Sequence, residues 1–173
     1  MTSHRPASVI IMAAGQGTRM KSATPKVLHE IGGPSLVGHA VVTARALAPE
    51  HLVVVVGTGR ELVKTHLTEI DPGVRTAVQE QQLGTGDAVR SGLTAVPADF
   101  DGTVIVTSGD VPLLEAETLK ELVAEHERSG NAITVLTARV PDPTGYGRII
   151  PGDDGSVAGI VEHKDAKIGR AHV

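Results

Sequence analysis

The sequence predicts a doubly wound α/β fold, in which helices cover both faces of a sheet built largely from parallel strands. Short apolar runs rich in valine and isoleucine, which are typical of buried parallel strands, recur along the chain. Segments with apolar residues at three- and four-residue steps, which are typical of amphipathic helices, lie between these runs. The alternation predicts right-handed crossovers that distribute the helices over the sheet.

The predicted strands are short runs bounded by glycine, proline or polar residues. A hairpin follows the last of them, with Asp154-Gly155 at its turn, a dipeptide that favours tight hairpin turns. In chain order the predicted strands are 8–14, 51–57, 74–79, 102–110 and 131–140, and the hairpin spans 147–163.

Four amphipathic helices are predicted between these strands. Ser35 is a candidate N-cap for the first helix, and Pro49 lies just beyond its end. Pro97 ends the third helix, and Gly130 suits the position after the fourth. The positions that define the four helices are Leu36, Val37, Ala40, Val41, Ala44 and Leu47, then Leu62, Val63, His66, Leu67 and Ile70, then Ala88, Val89, Leu93 and Val96, and finally Leu119, Leu122, Val123 and His126.

Composition excludes several classes of protein. A chain of 173 residues that is 40% hydrophobic and 21% charged can form one domain with a hydrophobic core. Its net charge of −4 gives no broad basic surface, so nucleic acid is a poor candidate partner. The absence of cysteine excludes disulfides and thiolate metal sites. No apolar run approaches the length of a membrane span and no signal peptide is evident, so a cytoplasmic location is expected, without a membrane partner.

The stretch MAAGQGTRMKSATPK, residues 12–26, directly follows the first predicted strand, where doubly wound sheets bind ligands. Gly15 and Gly17 allow backbone N–H groups to approach an anion closely. Arg19 offers a guanidinium fork and Lys26 a compact positive charge, and both suit phosphate oxygens. The stretch lacks a Walker A pattern, and Met20 stands where a GxGxxG fingerprint needs its third glycine. By itself, GxG is also compatible with a plain turn bearing solvated cations.

Four further stretches, QEQQLGTGDAV, SGDVPLL, DPTGYGRI and GIVEHKDA, follow in that order. With 12–26, they resemble the N-terminal part of the bifunctional N-acetylglucosamine-1-phosphate uridylyltransferase/glucosamine-1-phosphate acetyltransferase family over nearly all of residues 8–166. The resemblance implies a Rossmann-like mixed sheet of the nucleotide-diphospho-sugar transferase type, incomplete at the C-terminus. It also implies a reaction in which UTP and N-acetylglucosamine 1-phosphate give UDP-N-acetylglucosamine and pyrophosphate with Mg²⁺.

The resemblance assigns the nucleotide side of this reaction to three segments. Arg19 would face the departing pyrophosphate and Lys26 the phosphate under attack, so these are the expected catalytic residues. Gln79 would hydrogen-bond the uracil edge, although the nearby Asp87 stands where the family often carries histidine. The remaining expected binding residues on this side are Ala13, Ala14, Gly15, Gly17, Gly84, Thr85, Ser108 and Gly109.

The resemblance also implies the metal and sugar contacts. Asp110 would ligate Mg²⁺, for which a hard carboxylate oxygen beside a triphosphate is suited. Gly147 would offer its backbone to the sugar, and Glu162 would accept hydrogen bonds from sugar hydroxyls. From the residues alone, Asp110 could instead cap a helix, Thr85 could cap another, Gly147 could be a turn glycine and Glu162 a solvated acid.

The last segment, KIGRAHV at 167–173, matches nothing in the family and resembles a translated sequencing adapter. We therefore expect a partial nucleotidyltransferase domain at 1–166 followed by an artefactual tail. By resemblance, a second metal ligand, a sugar-contacting asparagine and the β-helix that makes the family homotrimeric would lie beyond this chain, which would leave it deficient in turnover. Other nucleotidyltransferases of the same fold, including cytidylyl-, guanylyl- and molybdopterin-type enzymes, and a non-catalytic nucleotide-binding module remain as alternatives.

Overall fold

A computed structural model describes residues 6–17 and 20–165. Residues 1–132 and 133–173 form two compact units, and each is described by itself. Arg19 and the 167–173 tail lie outside the described residues.

The first unit contains a four-stranded parallel sheet whose strands lie in the order β3-β2-β1-β4. Val9, Ile10 and Ile11 of β1 and the leucine and four valines at 52–56 of β2 are buried at the centre of the sheet, because helices cover both of its faces. The strands are β1 (Ser8–Ala13), β2 (His51–Val56), β3 (Arg75–Val78) and β4 (Val104–Ser108), and the helices are α1 (Leu36–Arg45), α2 (Arg60–Ile70), α3 (Thr85–Leu93) and α4 (Ala116–Ser129).

Two separate hydrophobic clusters occupy the two faces of this sheet. Because successive side chains of a strand point to opposite faces, Val9 and Ile11 of β1 join one cluster and Ile10 joins the other. The first cluster includes buried residues of α1, α2 and α4, and the second includes Ala88 of α3. This arrangement confirms the predicted doubly wound α/β fold.

The ends of the helices follow the predicted local chemistry. The Ser35 side chain accepts a hydrogen bond from Gly38 N at 3.0 Å and caps α1, as predicted. Gly130 follows α4 in the left-handed conformation, with φ 62°, and its N–H bonds to the last turn. These contacts satisfy backbone groups that the helix termini would otherwise leave unpaired.

The second unit contains an antiparallel hairpin of β5 (Arg148–Pro151) and β6 (Val157–Val161). Asp154 and Gly155 lie in the connecting turn, as predicted. The Asp154 carboxylate accepts a hydrogen bond from Ser156 N at 3.0 Å. Arg148 is buried, and its guanidinium donates to the backbone oxygens of Pro143 and Tyr146. The loop before β5 is therefore tied to the hairpin.

The prediction of a fifth strand over 131–140 is wrong. This segment has no regular secondary structure, and Ile133 and Leu136 are 79% and 48% exposed. Its β-branched residues, which include Ile133, Thr134 and Val135 in succession, fit a pleated, half-buried surface. A strand also needs a neighbouring strand to pair with its backbone groups. No described strand pairs with this segment.

Candidate functional site

The candidate site is a cleft at the carboxyl edge of the parallel sheet. In the ladder, Met12 of β1 is paired with Ser108 of β4, and Ala13 with Val56 of β2. Val56 is in turn paired with Val78, the last residue of β3. The segments that follow β1, β3 and β4 therefore leave the sheet side by side, as expected for a ligand site in a doubly wound fold.

The cleft has a volume of about 600 Å³ and is built from these three segments. Ten of the residues predicted from the sequence line it, which confirms that they lie together but leaves their individual roles as predictions. They are Ala13, Ala14, Gly15, Gly17, Lys26, Gln79, Gly84, Thr85, Ser108 and Asp110.

The loop after β1 brings Lys26 back towards the sheet. Gly17 has φ +61°, and a Cβ added there would lie 2.6 Å from the Cβ of Lys26. The loop therefore requires glycine at this position, both for its backbone conformation and for its close packing on Lys26. The Met20 N–H donates to the Gly17 carbonyl at 2.9 Å.

Lys26 and Asp110 form an ion pair in the cleft, in which Lys26 Nζ donates to Asp110 Oδ2. Ser108 Oγ donates to the other carboxylate oxygen at 2.6 Å. Burial by itself would raise the pKa of Asp110, but the hydrogen bonds from Lys26 and Ser108 outweigh it and hold the pKa below its ordinary value. Asp110 is thus held as a carboxylate beside a cation, at the end of β4.

Asp110 does not cap a helix. The next helix, α4, begins at Ala116 and has Glu115 in its N-cap position. The helix-cap interpretation of Asp110 is therefore wrong, which leaves the carboxylate with its cleft position and its two donors. Thr85 likewise does not cap α3, because Gly84 occupies the N-cap position and no side-chain hydrogen bond caps this helix.

The segment after β3 forms the opposite wall. Gln79 is only 6% exposed, and its backbone N–H extends the β3–β2 ladder by donating to Val56 O at 2.9 Å. Its side-chain Nε2 donates to Gly84 O at 3.1 Å and to Asp87 Oδ2 at 2.8 Å. The segment therefore folds back on itself around the Gln79 amide.

Sequence reasoning missed five residues that line the cleft. The most informative is Gln82, whose Nε2 donates to Ala14 O at 2.7 Å and joins the segment after β3 to the end of β1. Nothing in QEQQLGTG distinguishes Gln82 from Gln81, because only the folded chain shows which glutamine faces β1. The other four residues, which carry apolar side chains and were not predicted as site residues, are Met12, Met20, Val27 and Ala88.

Three predicted binding residues lie elsewhere. Gly109 is buried behind the cleft, where its N–H donates to Met12 O at 2.9 Å and a Cβ would lie 3.2 Å from that of Ala13. Gly147 and Glu162 belong to the second unit, where a Cβ on Gly147 would lie 4.0 Å from Glu162 Oε2. The predicted sugar-contacting pair is thus brought together within the hairpin.

The described residues were compared with the patterns of protein-only metal sites and of membrane-spanning helices. No cluster of three or more histidine, aspartate or glutamate side chains occurs among them. Asp110 is the cleft carboxylate that could hold a divalent cation together with oxygens of a ligand. In the described part of the chain, no helix has the length and apolar character needed to cross a membrane.

Comparison with known proteins gives a family and close relatives for this chain. Residues 9–150 match the family model of the MobA-like NTP transferase domain. The chain is 64% identical to the bifunctional protein GlmU of Streptomyces avermitilis over 167 residues, which are 96% of this chain and 35% of that protein. It is 56% identical to GlmU of Thermobifida fusca over 169 residues, again covering 96% of this chain and 35% of that protein. The chain therefore spans about a third of the length of these relatives.

Solved structures share the fold at low sequence identity. A UDP-glucose pyrophosphorylase complexed with UDP-glucose superposes with a TM-score of 0.71 at 20% identity, covering 93% of this chain and 71% of that one. Rv0371c from Mycobacterium tuberculosis superposes with a TM-score of 0.60 at 21% identity, covering 72% of this chain and 62% of that one. Both support the nucleotidyltransferase-like α/β fold.

Proposed function

On the basis that this chain belongs to the MobA-like NTP transferase family and matches the N-terminal region of the bifunctional GlmU proteins, we propose that it is a uridylyltransferase domain. Its reaction would transfer UMP from UTP to N-acetylglucosamine 1-phosphate and release pyrophosphate. The observation that carries this proposal is the meeting of the 12–27, 79–88 and 108–110 segments in one cleft at the sheet edge.

The chemistry needs no protein nucleophile. A phosphate oxygen of the sugar phosphate attacks the α-phosphorus of UTP, and the bond from that phosphorus to the oxygen bridging the β-phosphorus breaks. The electron pair of this bond leaves with pyrophosphate. Catalysis then consists of alignment and neutralisation of negative charge. The chain supplies backbone N–H groups near Gly15 and Gly17 for the phosphates, and Lys26 for the α-phosphate.

Asp110 is the residue that would hold Mg²⁺, with the remaining coordination positions filled by phosphate oxygens and water. The ion would supply charge neutralisation on the triphosphate. Lys26 forms an ion pair with the same carboxylate. We infer that this pairing keeps Asp110 ionised and that Lys26 turns to phosphate when nucleotide enters.

The base and sugar would lie on different sides of the triphosphate. We propose that Gln79, Gly84 and Thr85 border the uracil and that Ala13, Ala14 and Gly15 allow the flat ring to lie against backbone. Arg19 is proposed to face the pyrophosphate, Ser108 and Gly109 to support the segment that carries Asp110, and Gly147 and Glu162 to contact the sugar. We further propose a cytoplasmic enzyme that acts on soluble substrates.

The first prediction is that Lys26→Ala lowers kcat for uridylyl transfer by about 100-fold, since a charge-stabilising group in a preorganised site contributes on this scale. The measurement is pyrophosphate release with Mg²⁺, UTP and N-acetylglucosamine 1-phosphate. If the chain alone turns over slowly, the substitution is made in a longer protein that carries this domain.

Removal of the metal should weaken UTP binding. Calorimetry measures the affinity of the chain for UTP with and without EDTA, and the affinity should be lower when EDTA is present.

The matched control is Lys64→Ala, because Lys64 lies on α2, pairs with Glu61 and does not line the cleft. This variant should retain wild-type kcat and KM. Equal loss in the two variants would contradict the role of Lys26. Tighter binding of CTP than of UTP would favour a cytidylyltransferase, and binding of UTP without turnover in the longer background would favour a non-catalytic module.

A further inference from the structure

The Gln79 amide is held by two partners on the same nitrogen. Nε2 donates to Gly84 O at 3.1 Å and to Asp87 Oδ2 at 2.8 Å, and the side chain is almost wholly buried in the cleft wall. Asp87 lies in the first turn of α3, so a helix that packs on the sheet anchors this acceptor.

Both partners determine which way the amide faces. A backbone carbonyl and a carboxylate can only accept hydrogen bonds, so the NH₂ group of Gln79 must face them. Both of its N–H donors are thereby used. The Oε1 atom is left as the free polar end of the side chain, since no hydrogen bond to it occurs among the described residues. Rotation of the amide would place Oε1 against two acceptors and lose both bonds.

We propose that Asp87 is a positioning residue that fixes Gln79 with an acceptor presented to the nucleobase, so that the cleft selects a pyrimidine carrying a donor at N3. Uracil carries N3–H, whereas cytosine carries an N3 lone pair that would face Oε1. This inference rests on the proposed uridylyl transfer and adds the source of its base selectivity. Asp87 itself acts only through Gln79.

The size of the effect follows from the number of bonds lost. With Asp87 present, accepting cytosine requires a rotated amide that gives up two hydrogen bonds, one of them to a charged group. Without the carboxylate, only the bond to Gly84 O opposes rotation. Loss of one such bond corresponds to roughly tenfold or more in relative affinity.

The test compares Asp87→Ala and Asp87→Asn with wild type, with Asp101→Ala as the control. Asp101 is an exposed acid in the loop before β4 and does not line the cleft. Calorimetry with Mg²⁺ gives the UTP:CTP affinity ratio of each variant. Asp87→Ala should lower this ratio about tenfold. Asp87→Asn should lower it less, because an asparagine oxygen can still accept from Gln79 while its NH₂ could also bond a rotated amide. Asp101→Ala should leave it unchanged.

A second readout needs no nucleotide. In the ¹⁵N-labelled protein, the Gln79 side-chain NH₂ protons should exchange slowly with solvent, and Asp87→Ala should shift one of them and speed its exchange. An unchanged UTP:CTP ratio in Asp87→Ala beside a UTP-preferring wild type would overturn the inference. A wild type that binds neither nucleotide would overturn the proposed function and the base-selection part of the inference, while the NH₂ signals would still decide whether Asp87 positions Gln79.

Discussion

At the residue scale, the close packing of Gly17 on Lys26 shows how a glycine, which has no side chain of its own, affects where a lysine ammonium group lies. A Cβ on residue 17 would lie 2.6 Å from the Cβ of Lys26, the residue that pairs with Asp110. That Cβ is fixed to the backbone, so it cannot rotate away as the end of a long side chain could. The position of the cation therefore depends on the absence of a side chain nine residues earlier.

We expect Gly17→Ala to lower the free energy of unfolding by about 1–2 kcal/mol, because alanine must adopt a positive φ and its Cβ would overlap Lys26. UTP affinity should fall with it, since the loop and Lys26 move together. Urea unfolding and calorimetry measure the two effects. The control is Gly15→Ala in the same loop, where an added Cβ meets nothing within 4 Å and φ lies outside the left-handed region. Its unfolding free energy should match wild type, and equal stability in both variants would refute the argument.

At the element scale, the approach of α3 to the sheet is set by Gly92. A Cβ added to this residue would lie 2.6 Å from Ile10 Cγ2 and 3.1 Å from Val55 Cγ2. Ile10 and Val55 are fully buried at the centre of the sheet, so neither can move aside without disturbing its own neighbours. The close approach of α3 also places Asp87 and Thr85 at the cleft.

Gly92→Ala should therefore destabilise the protein by about 1–3 kcal/mol, because overpacking outweighs the gain in helix propensity. The control on the same helix is Gly86→Ala, where no atom lies within 4 Å of the added Cβ. That variant should be stabilised by about 0.5 kcal/mol through helix propensity. Both values come from urea unfolding followed by circular dichroism. If Gly92→Ala were as stable as Gly86→Ala, α3 would not be held by this contact.

At the scale of the whole molecule, every described residue that lines the cleft belongs to the first unit, and an exposed segment follows directly on that unit. Residues 133–140 have no regular secondary structure, and Arg139 is exposed within them. Proteases cut preferentially where exposed backbone can open locally without loss of a packed core.

Limited trypsin digestion of the folded chain, run with and without UTP and Mg²⁺, should therefore cut early after Arg139. The same ligands should slow cleavage after Lys26, which lines the cleft. Mass spectrometry of timed samples identifies the cuts, and Arg139→Gln should abolish the early product. Survival of the bond after Arg139 once the helices of the first unit have been cut would contradict local opening of this segment.

The sequence by itself determined the succession of the first four strands and four helices along the chain. It also determined the Ser35 cap and the turn at Asp154-Gly155. These features depend on periodicity and backbone preference, which are local. It also indicated which segments follow strands β1, β3 and β4, and in a parallel sheet such segments must meet at one edge. For that reason ten predicted residues line one cleft. The roles assigned to them still come from resemblance and remain predictions.

Only the tertiary structure decided the features that depend on neighbours distant in the chain. Residues 131–140 have the side chains of a strand but no described strand to pair with. Gly109 stands in a segment predicted to bind ligand, yet it is buried and its N–H donates to Met12 O. No local feature of the sequence distinguishes Gln82, yet its side-chain amide donates to Ala14 O. The orientation of Gln79 depends on Gly84 and Asp87, which come together with it only when α3 packs on the sheet. Local pattern specifies what a residue can form, whereas strand partners, packing and hydrogen-bond acceptors supplied by the rest of the fold decide what it does form.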